Sequence, residues 1–359
     1  MDWLLNLFQS IKTKISQWTS SDTPDVKSKQ KVKQPLFNND KKKTTEPNEI
    51  SMMTEISDEQ IQTNNLRSKY ITTVKNPDHR VKKNENPEVI AKKYGVTTRA
   101  LLAANNLDEQ SAQKIQVGQV LKIPPSRRVK NVNNLSDIAN AMGVSVDFIK
   151  KLKKAEDSAH LPEKSFHNTP YLDENGVKTI GIGHKVLPGD KTKLTNAEVC
   201  TLCAQDLLKA EEHLTLLLGG QKYYDRIPQA LKESVLDLTF NKGVIDDDSF
   251  KGLIYCLKNC KWEAAVNKLT FNKSIKTGEE MSGLNKRRLF DISLATKMYG
   301  KNIPQSNINT AQHVYNRGVE LLRTECQRKN LNFANQLAGY NQDVQSYFGN
   351  RLKLKLITK

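Results

Sequence analysis

The stretch Tyr171-Leu-Asp-Glu-Asn-Gly-Val-Lys-Thr-Ile-Gly-Ile-Gly-His184 decides how the rest of this sequence is read. Asp173 to Gly176 has turn chemistry: Asp and Asn side chains bond local amides, and Gly accepts a positive φ. Val177 to Ile182 mixes β-branched residues with Gly, the composition of a short strand that lets another group approach its backbone. The spacing predicts a tight hairpin with Asp173 just before its turn, Thr179 pointing back across it and His184 at its exit. Two readings are open on spacing alone: a solvated surface hairpin, or a site built around one small sheet.

The flanking sequence narrows the choice. Upstream, Val146 to Ala155 puts Phe148, Ile149, Leu152 and Ala155 on one helical face, with Glu156 at the helix end. Downstream, Thr195 and Glu198 form a capping box for a helix running through Leu202, Cys203, Gln205 and Asp206. Three more runs follow: Ser234 to Gly243, ending Phe-Asn-Lys-Gly; Trp262 to Asn267; and Gly283-Leu-Asn-Lys-Arg-Arg288. Together with the hairpin pattern Tyr-x-Asp-x-x-Gly-x-x-Thr-Ile-Gly-x-Gly-His, these runs resemble the phage-type lysozymes, glycoside hydrolase family 24, over about Phe148 to Asn302.

The resemblance implies an α+β, mainly α fold, a lysozyme-like catalytic domain with a small β-hairpin. It implies that Glu156 is the general acid, that Asp173 activates or orients the attacking water, and that Thr179 supports that water. The chemistry needs such a set. A glycosidic oxygen leaves poorly until protonated, so one carboxyl must keep its proton near neutral pH through partial burial. A second, ionised carboxylate handles water on the opposite face of the sugar. Family members with this set invert the anomeric carbon, which requires carboxyl groups about 6.5–9.5 Å apart.

Carried over in the same way, Phe240, Asn241 and Asn267 contact saccharide. Asp206 pairs with His184 to orient the hairpin, and Arg287 or Arg288 braces the catalytic helix through a carboxylate. No metal or cofactor is implied. The link between the acids departs from the family pattern, because 17 positions separate Glu156 from Asp173. Glu163 is a rival acid, nearer in sequence to Asp173. Glu156 is preferred because it alone ends an apolar-faced helix, and Asp157 reads as a solvated neighbour.

A second module lies upstream. His79 to Lys82 reads as a strand, Pro87 to Gly95 as an amphipathic helix ended by Gly, and Arg99 to Asn105 as a helix capped by Thr97 or Thr98. Gln119 to Ile123 closes it as a strand before Pro124. This βααβ order, with Ile-Ala-Lys-Lys-Tyr-Gly-Val and Val-Gly-Gln-Val-Leu-Lys-Ile-Pro, resembles a LysM domain over 78–125. The resemblance implies binding to the N-acetylglucosamine backbone of peptidoglycan or chitin, with Asn84, Glu85, Asn86, Asn106, Leu107 and Ile115 beside the groove. The usual Gly-Asp-Thr of the first loop is Asn84-Glu85-Asn86 here, so a purely structural LysM fold is the alternative. Val89-Ile90-Ala91 and Gly95-Val96-Thr97 recur 48 residues on as Asp137-Ile138-Ala139 and Gly143-Val144-Ser145. That recurrence marks 126–147 as a partial LysM-like helical repeat, a stiff connector to the muramidase domain at 148–302.

The chain has 359 residues and a formal net charge of +17, which suits a partner rich in phosphate or carboxylate, such as the bacterial envelope. No zinc-finger, RNP or P-loop pattern points to nucleic acid. Five cysteines, an odd number, fit reduced thiols better than a disulfide scaffold. Cys200, Cys203, Cys256 and Cys260 suggest a zinc site by spacing, but helical geometry makes Cys203 a core residue and turns Cys200 outward. In 1–18, Trp3, Leu4, Leu7, Phe8, Ile11, Ile15 and Trp18 recur at three- and four-residue intervals. This is an amphipathic docking helix for a protein groove, a membrane surface or this chain's own domain. It is too polar for a Sec-type leader and too short to span a bilayer. The polar stretch 19–77 reads as a disordered linker. The basic extension 303–359 is expected to hold a helix capped by Asn309 and a period-two strand, Arg351 to Leu356, that seeks a sheet edge.

These readings converge on a muramidase made in a bacterial cytoplasm without a signal peptide and acting on the cell wall or periplasm. It would be a free endolysin, a virion- or tail-borne lysozyme, or a secreted effector. Residues 1–18 and 303–359 would dock it to a tail, baseplate or secretion-machine protein. The rival reading is a non-catalytic wall-binding or structural tail component on a lysozyme scaffold.

Overall fold

The expected linker ends well before residue 77. Asp58–Ser68 is a helix (α1) and Ile71–Val74 a strand (β1). The computed structural model describes residues 58–156, 161–162, 165–173, 176–187, 189–242, 248–271, 273 and 278–358. The amphipathic segment 1–18, the linker through residue 57, Asp157 and Glu163 lie outside the described residues. Helix α1 shows no apolar stripe in its sequence because charge holds it. Arg67 donates Nη2 to both carboxylate oxygens of Glu211 at 2.8 Å and Nε to the Ala141 carbonyl at 3.1 Å.

Strand β1 pairs antiparallel with Ser126–Val129 (β4), Ile71 opposite Val129 and Val74 opposite Ser126. Gln205 closes the other edge of β4, accepting from the Val129 amide at 2.9 Å and donating to the Arg127 carbonyl at 3.1 Å. Between these two strands the chain leaves to build the βααβ module. Its elements are His79–Arg80 (β2), Pro87–Tyr94 (α2), Thr98–Ala104 (α3), a short Glu109–Ala112 (α4) and Val120–Leu121 (β3), with β2 paired to β3. Asn86 caps α2, Gly95 ends it at a φ of 68°, and Thr97 caps α3. Val81, Ile90, Ala91, Val96, Leu101, Leu121 and Ile123 form a core of its own.

Leu135–Met142 (α5) and Val146–Glu156 (α6) repeat that helical hairpin. Asn134 caps α5 as Asn86 caps α2, and Gly143 turns the chain at a φ of 63°. Among the described residues the second copy has no closing strand, and the long helix Asn196–Leu218 (α7) covers its apolar face instead. Ile138, Met142, Phe148, Ile149 and Leu152 share one core with Val199, Cys203, Leu207, Leu236 and Phe290. The repeat is therefore part of the larger domain's interior and not a connector beside it. Cys200 is buried in the same core, contrary to the outward placement expected, because α5 packs over that side of α7.

His167–Leu172 (β5), Lys178–Gly181 (β6) and His184–Lys185 (β7) form the expected small antiparallel sheet. The helices that follow are Gln221–Asp225 (α8), Gln229–Lys242 (α9), Asp248–Lys258 (α10), Trp262–Asn267 (α11) and Ser282–Ala295 (α12). The C-terminal extension then adds Gln305–Lys329 (α13) and Phe333–Phe348 (α14). Helix α13 begins at Gln305, so Asn309 lies inside it and does not cap it. Val314, Tyr315, Val319, Tyr340, Val344 and Phe348 share a core with Val235, Leu289 and Ile292, so the extension is integral to the domain.

Arg351 to Leu356 is not a strand. Leu352 is buried, and Leu354 and Leu356 pack on the same core. Side chains of α13 and α14 satisfy the tail's backbone. Gln312 accepts from the Lys355 amide at 2.8 Å, the Tyr315 hydroxyl accepts from the Ile357 amide at 2.8 Å, and Asn341 donates to the Ile357 carbonyl at 2.8 Å. A period of two buries alternate leucines between helices without any neighbouring strand.

Candidate functional site

Glu156 is the last residue of α6, whose face of Phe148, Ile149 and Leu152 is wholly buried and fixes the helix in place. Its side chain is 18% exposed, the partial burial a proton-donating carboxyl needs. Gly183, between β6 and β7, sits directly against it. A Cβ added at Gly183 would stand 2.6 Å from Glu156 Oε2, and the glycine's φ of 74° disfavours any side chain as well. The Tyr171 hydroxyl of β5 donates to the Glu156 carbonyl at 3.3 Å, tying the helix end to the sheet.

Arg287 of α12 reaches the same carboxylate, with Nη1 donating to Glu156 Oε1 at 2.5 Å. The other edge of the guanidinium is bidentate on Asp237 of α9, Nε to Oδ2 and Nη2 to Oδ1, both at 2.9 Å. Asp237 is 0% exposed. Burial alone would push its carboxyl up, and the charge and hydrogen bonds of Arg287 more than reverse that, holding it below the usual carboxylate range. Arg288, fully buried, turns away from Glu156. It lies 3.0 Å from Asp291 and donates to Asn241 Oδ1 at 3.2 Å. Of the two arginines expected to brace the helix, Arg287 makes the contact.

On the sheet, Asp173 Oδ1 accepts from the Val177 amide at 2.8 Å, and the two residues also pair through their backbones at 2.9 Å. Asp173 is thus held rigidly at the turn, half-buried. Thr179 lies opposite Tyr171 in the register, buried, with its hydroxyl donating to the Val177 carbonyl at 3.2 Å. His184 Nδ1 lies 2.6 Å from Asp206 of α7, the pairing expected from sequence, and Nε2 lies 3.4 Å from Asp190. Burial would depress the imidazole's pKa, but these two carboxylates outweigh it and raise the pKa. Asp190 also accepts from the Leu187 amide at 2.6 Å, so the ring fastens the hairpin exit to α7 from two sides.

Phe240 packs half-buried on the core, and Asn241 receives Arg288 one turn beyond Asp237. Asn267 is a correction. Its amide donates to Ser306 at 3.1 Å and accepts from Asn307 at 2.7 Å and Thr310 at 2.8 Å, so it ties α11 to α13 and its expected saccharide contact gives way to a structural one. In the βααβ module, Asn84 is exposed at a φ of 65°, while Leu107 and Ile115 pack half-buried on the module's core. Asn86 caps α2. Glu85 Oε2 lies 2.6 Å from His79 Nε2 and accepts from the Lys82 amide at 2.8 Å, and the His79 ring reaches the Tyr94 hydroxyl at 3.0 Å. The substituted first loop is therefore internally fastened.

Among the described residues, no group of three or more His, Cys, Asp or Glu side chains is placed to hold a metal ion, and no helix is long and apolar enough to cross a membrane. A cavity of about 530 Å³ lies among α12, α13 and α14, lined by Lys154, Lys286, Glu325, Lys329 and Tyr340. It contains none of the expected catalytic side chains.

A family model described as Phage lysozyme matches residues 163–290, and one described as LysM domain matches residues 79–124. The chain carries a LysM domain and a phage lysozyme domain. The lysozyme match begins after Glu156, so the helix-end acid enters the site through its geometry, against Gly183 and Arg287. Among solved structures, the chain is similar to the crystal structure of the active form of the P1 phage endolysin Lyz, at 17% identity over 47% of this chain and 97% of that one, with a TM-score of 0.37. No curated protein matches.

Proposed function

We propose that this protein is an N-acetylmuramidase that hydrolyses the β-1,4 bond between N-acetylmuramic acid and N-acetylglucosamine in peptidoglycan. One observation carries the reading: a partly exposed carboxylate at a helix end, pressed on Gly183 of the hairpin and gripped by Arg287. Glu156 protonates the glycosidic oxygen, so the leaving sugar departs as an alcohol. Asp173, pinned at the hairpin turn, orients and deprotonates the attacking water. The Thr179 hydroxyl, already donating to Val177, keeps lone pairs to accept a hydrogen bond from that water. Attack from the face opposite the leaving group inverts the anomeric carbon. The LysM domain holds the enzyme on the wall and raises its effective concentration there. Delivery from the cytoplasm by a holin, a virion or a secretion machine, with 1–18 docking to that machinery, completes the proposal.

The test is release of reducing sugar from purified peptidoglycan by the wild type, Glu156→Gln and Glu163→Gln. The wild type is expected to work, Glu156→Gln to lose about 10³-fold or more, and Glu163→Gln to stay within severalfold of wild type. A folded wild type that binds wall but releases no sugar replaces the reading with that of a wall-binding scaffold. Proton NMR of the first product, showing the α-anomer, tests inversion.

A further inference from the structure

We propose that Asp237 is a positioning residue for the glycosidic reaction: by occupying two of the three inward-facing nitrogens of Arg287, it cancels the arginine's charge and lets Glu156 keep its proton. The inference rests on the reading of Glu156 as the proton donor. That reading contains a conflict which Asp237 resolves. A general acid must be protonated when substrate arrives, yet a guanidinium in contact with a carboxyl favours its ionised form by about 1–3 pKa units. Glu156 and Arg287 are in contact at 2.5 Å.

The geometry divides the guanidinium unequally. Its Nε and Nη2 face a carboxylate that is 0% exposed, at 2.9 Å each, in the planar bidentate arrangement that pairs these groups most strongly. Only Nη1 is left for Glu156. Seen from Glu156, Arg287 and Asp237 together are a net-neutral donor: a directed hydrogen bond without a full positive charge behind it. Such a donor fixes the carboxyl's position and leaves its proton in place.

The other groups around the pair do not supply this compensation. Asp291, 3.0 Å from Arg288, has its carboxyl pushed well above the usual range by burial and is hydrogen-bonded to Asp237, so it meets that carboxylate as a neutral donor and not as a second anion. From β5, Tyr171 approaches through its hydroxyl, with His167 stacked on its ring at 4.0 Å. From α7 comes the Cys203 thiol, which burial keeps protonated, with Asp206 beyond it held by His184 and Lys209. From α14 comes Tyr347, likewise kept neutral by burial. Lys154 and Lys286, next to Glu156 and Arg287 on their helices, both turn to Asp343 of α14, at 3.5 and 2.8 Å. Asp237 is the anion in direct contact with Arg287 on the side away from Glu156.

The experiment is the pH dependence of kcat/KM on purified peptidoglycan, using the full chain, with a thermal melt at each pH to verify folding. In Asp237→Asn the guanidinium keeps its shape but loses its counter-charge, so the alkaline limb is expected to move to lower pH by about one unit. Adding Arg287→Gln to that variant is expected to bring the limb back toward the wild-type position. Asp237→Glu, which keeps the charge, is expected to hold the limb in place whatever happens to kcat. Should Asp237→Asn not fold, Arg287→Gln alone carries the test. It leaves the Asp237 anion facing Glu156, and the limb is expected to rise. A limb that stays fixed in an active, folded Asp237→Asn, or that fails to rise in Arg287→Gln, overturns the compensation and leaves the muramidase reading standing. A folded wild type that releases no sugar overturns both.

Discussion

At Glu211, Arg67 and Arg127 converge from α1 and β4 on a carboxylate that is 1% exposed. At Arg287 the arrangement is reversed, with one guanidinium set between two carboxylates, one sealed and one 18% exposed. Both clusters bury charge, and buried pairs as a class contribute little net stability unless every group is satisfied. What separates them is the open side. The first cluster has every oxygen of Glu211 met by arginine, and it joins the strap formed by α1, β1 and β4 to α7. The second leaves Glu156 with one oxygen against Gly183 and a surface that solvent reaches. The same ions thus fix architecture where they are closed and leave a carboxylate within reach of solvent where one member is open.

The comparison yields one test on turnover and then, in falling order of size, tests on stability. The loss of turnover is expected at Gly183. Gly183→Ala brings a methyl group to 2.6 Å from Glu156 Oε2 and forces the carboxylate to move. Turnover of peptidoglycan is expected to fall about 100-fold, with the circular dichroism spectrum unchanged. Next comes Glu211→Gln, which leaves two arginines facing a neutral side chain. Urea denaturation is expected to show a loss of about 3–5 kcal/mol, while kcat/KM of the folded protein holds. If turnover falls as it does in Gly183→Ala, the division between the clusters is wrong.

His184 sharpens the boundary, because it sits on the hairpin beside Glu156 but is held by α7. Its folded-state pKa is raised, since Asp206 and Asp190 outweigh the depressing effect of burial. The imidazolium's contribution is therefore complete below the unfolded histidine value of about 6.5 and is lost as pH climbs through the folded one. Asp206→Asn is expected to cost about 2 kcal/mol at pH 5 and progressively less above neutrality, as read from melts across that range. The smallest effect is at the start of α7, where Thr195 accepts from the Glu198 amide at 3.2 Å. Thr195→Ala is expected to cost about 1 kcal/mol at unchanged turnover.

Local signals carried much of this site. Turn residues announced the hairpin, a capping box announced α7, and an apolar face ending in Glu156 announced α6. His184 and Asp206 were paired from the family pattern, and Arg287 was one of two candidates for the brace. The features missed depend on contacts that leave no local trace. Arg67 and Arg127 meet Glu211 across 144 and 84 residues, so α1 and β1 looked like linker. The tail's alternating leucines pointed to a strand, because periodicity reports burial of alternate side chains and not the partner that buries them. Asp237 did have a signal: a carboxylate between Leu236 and Leu238 in a run otherwise fit for a core must meet a cation.

The LysM domain is entered through β1 and left through β4, which lie side by side in register. A module carried on paired strands is held at two adjoining points and not by a single thread, so its distance and bearing from the rest of the fold are set by the ribbon. Because the points of departure and return are neighbours, a different module could be exchanged there, and the rest of the chain would keep its path.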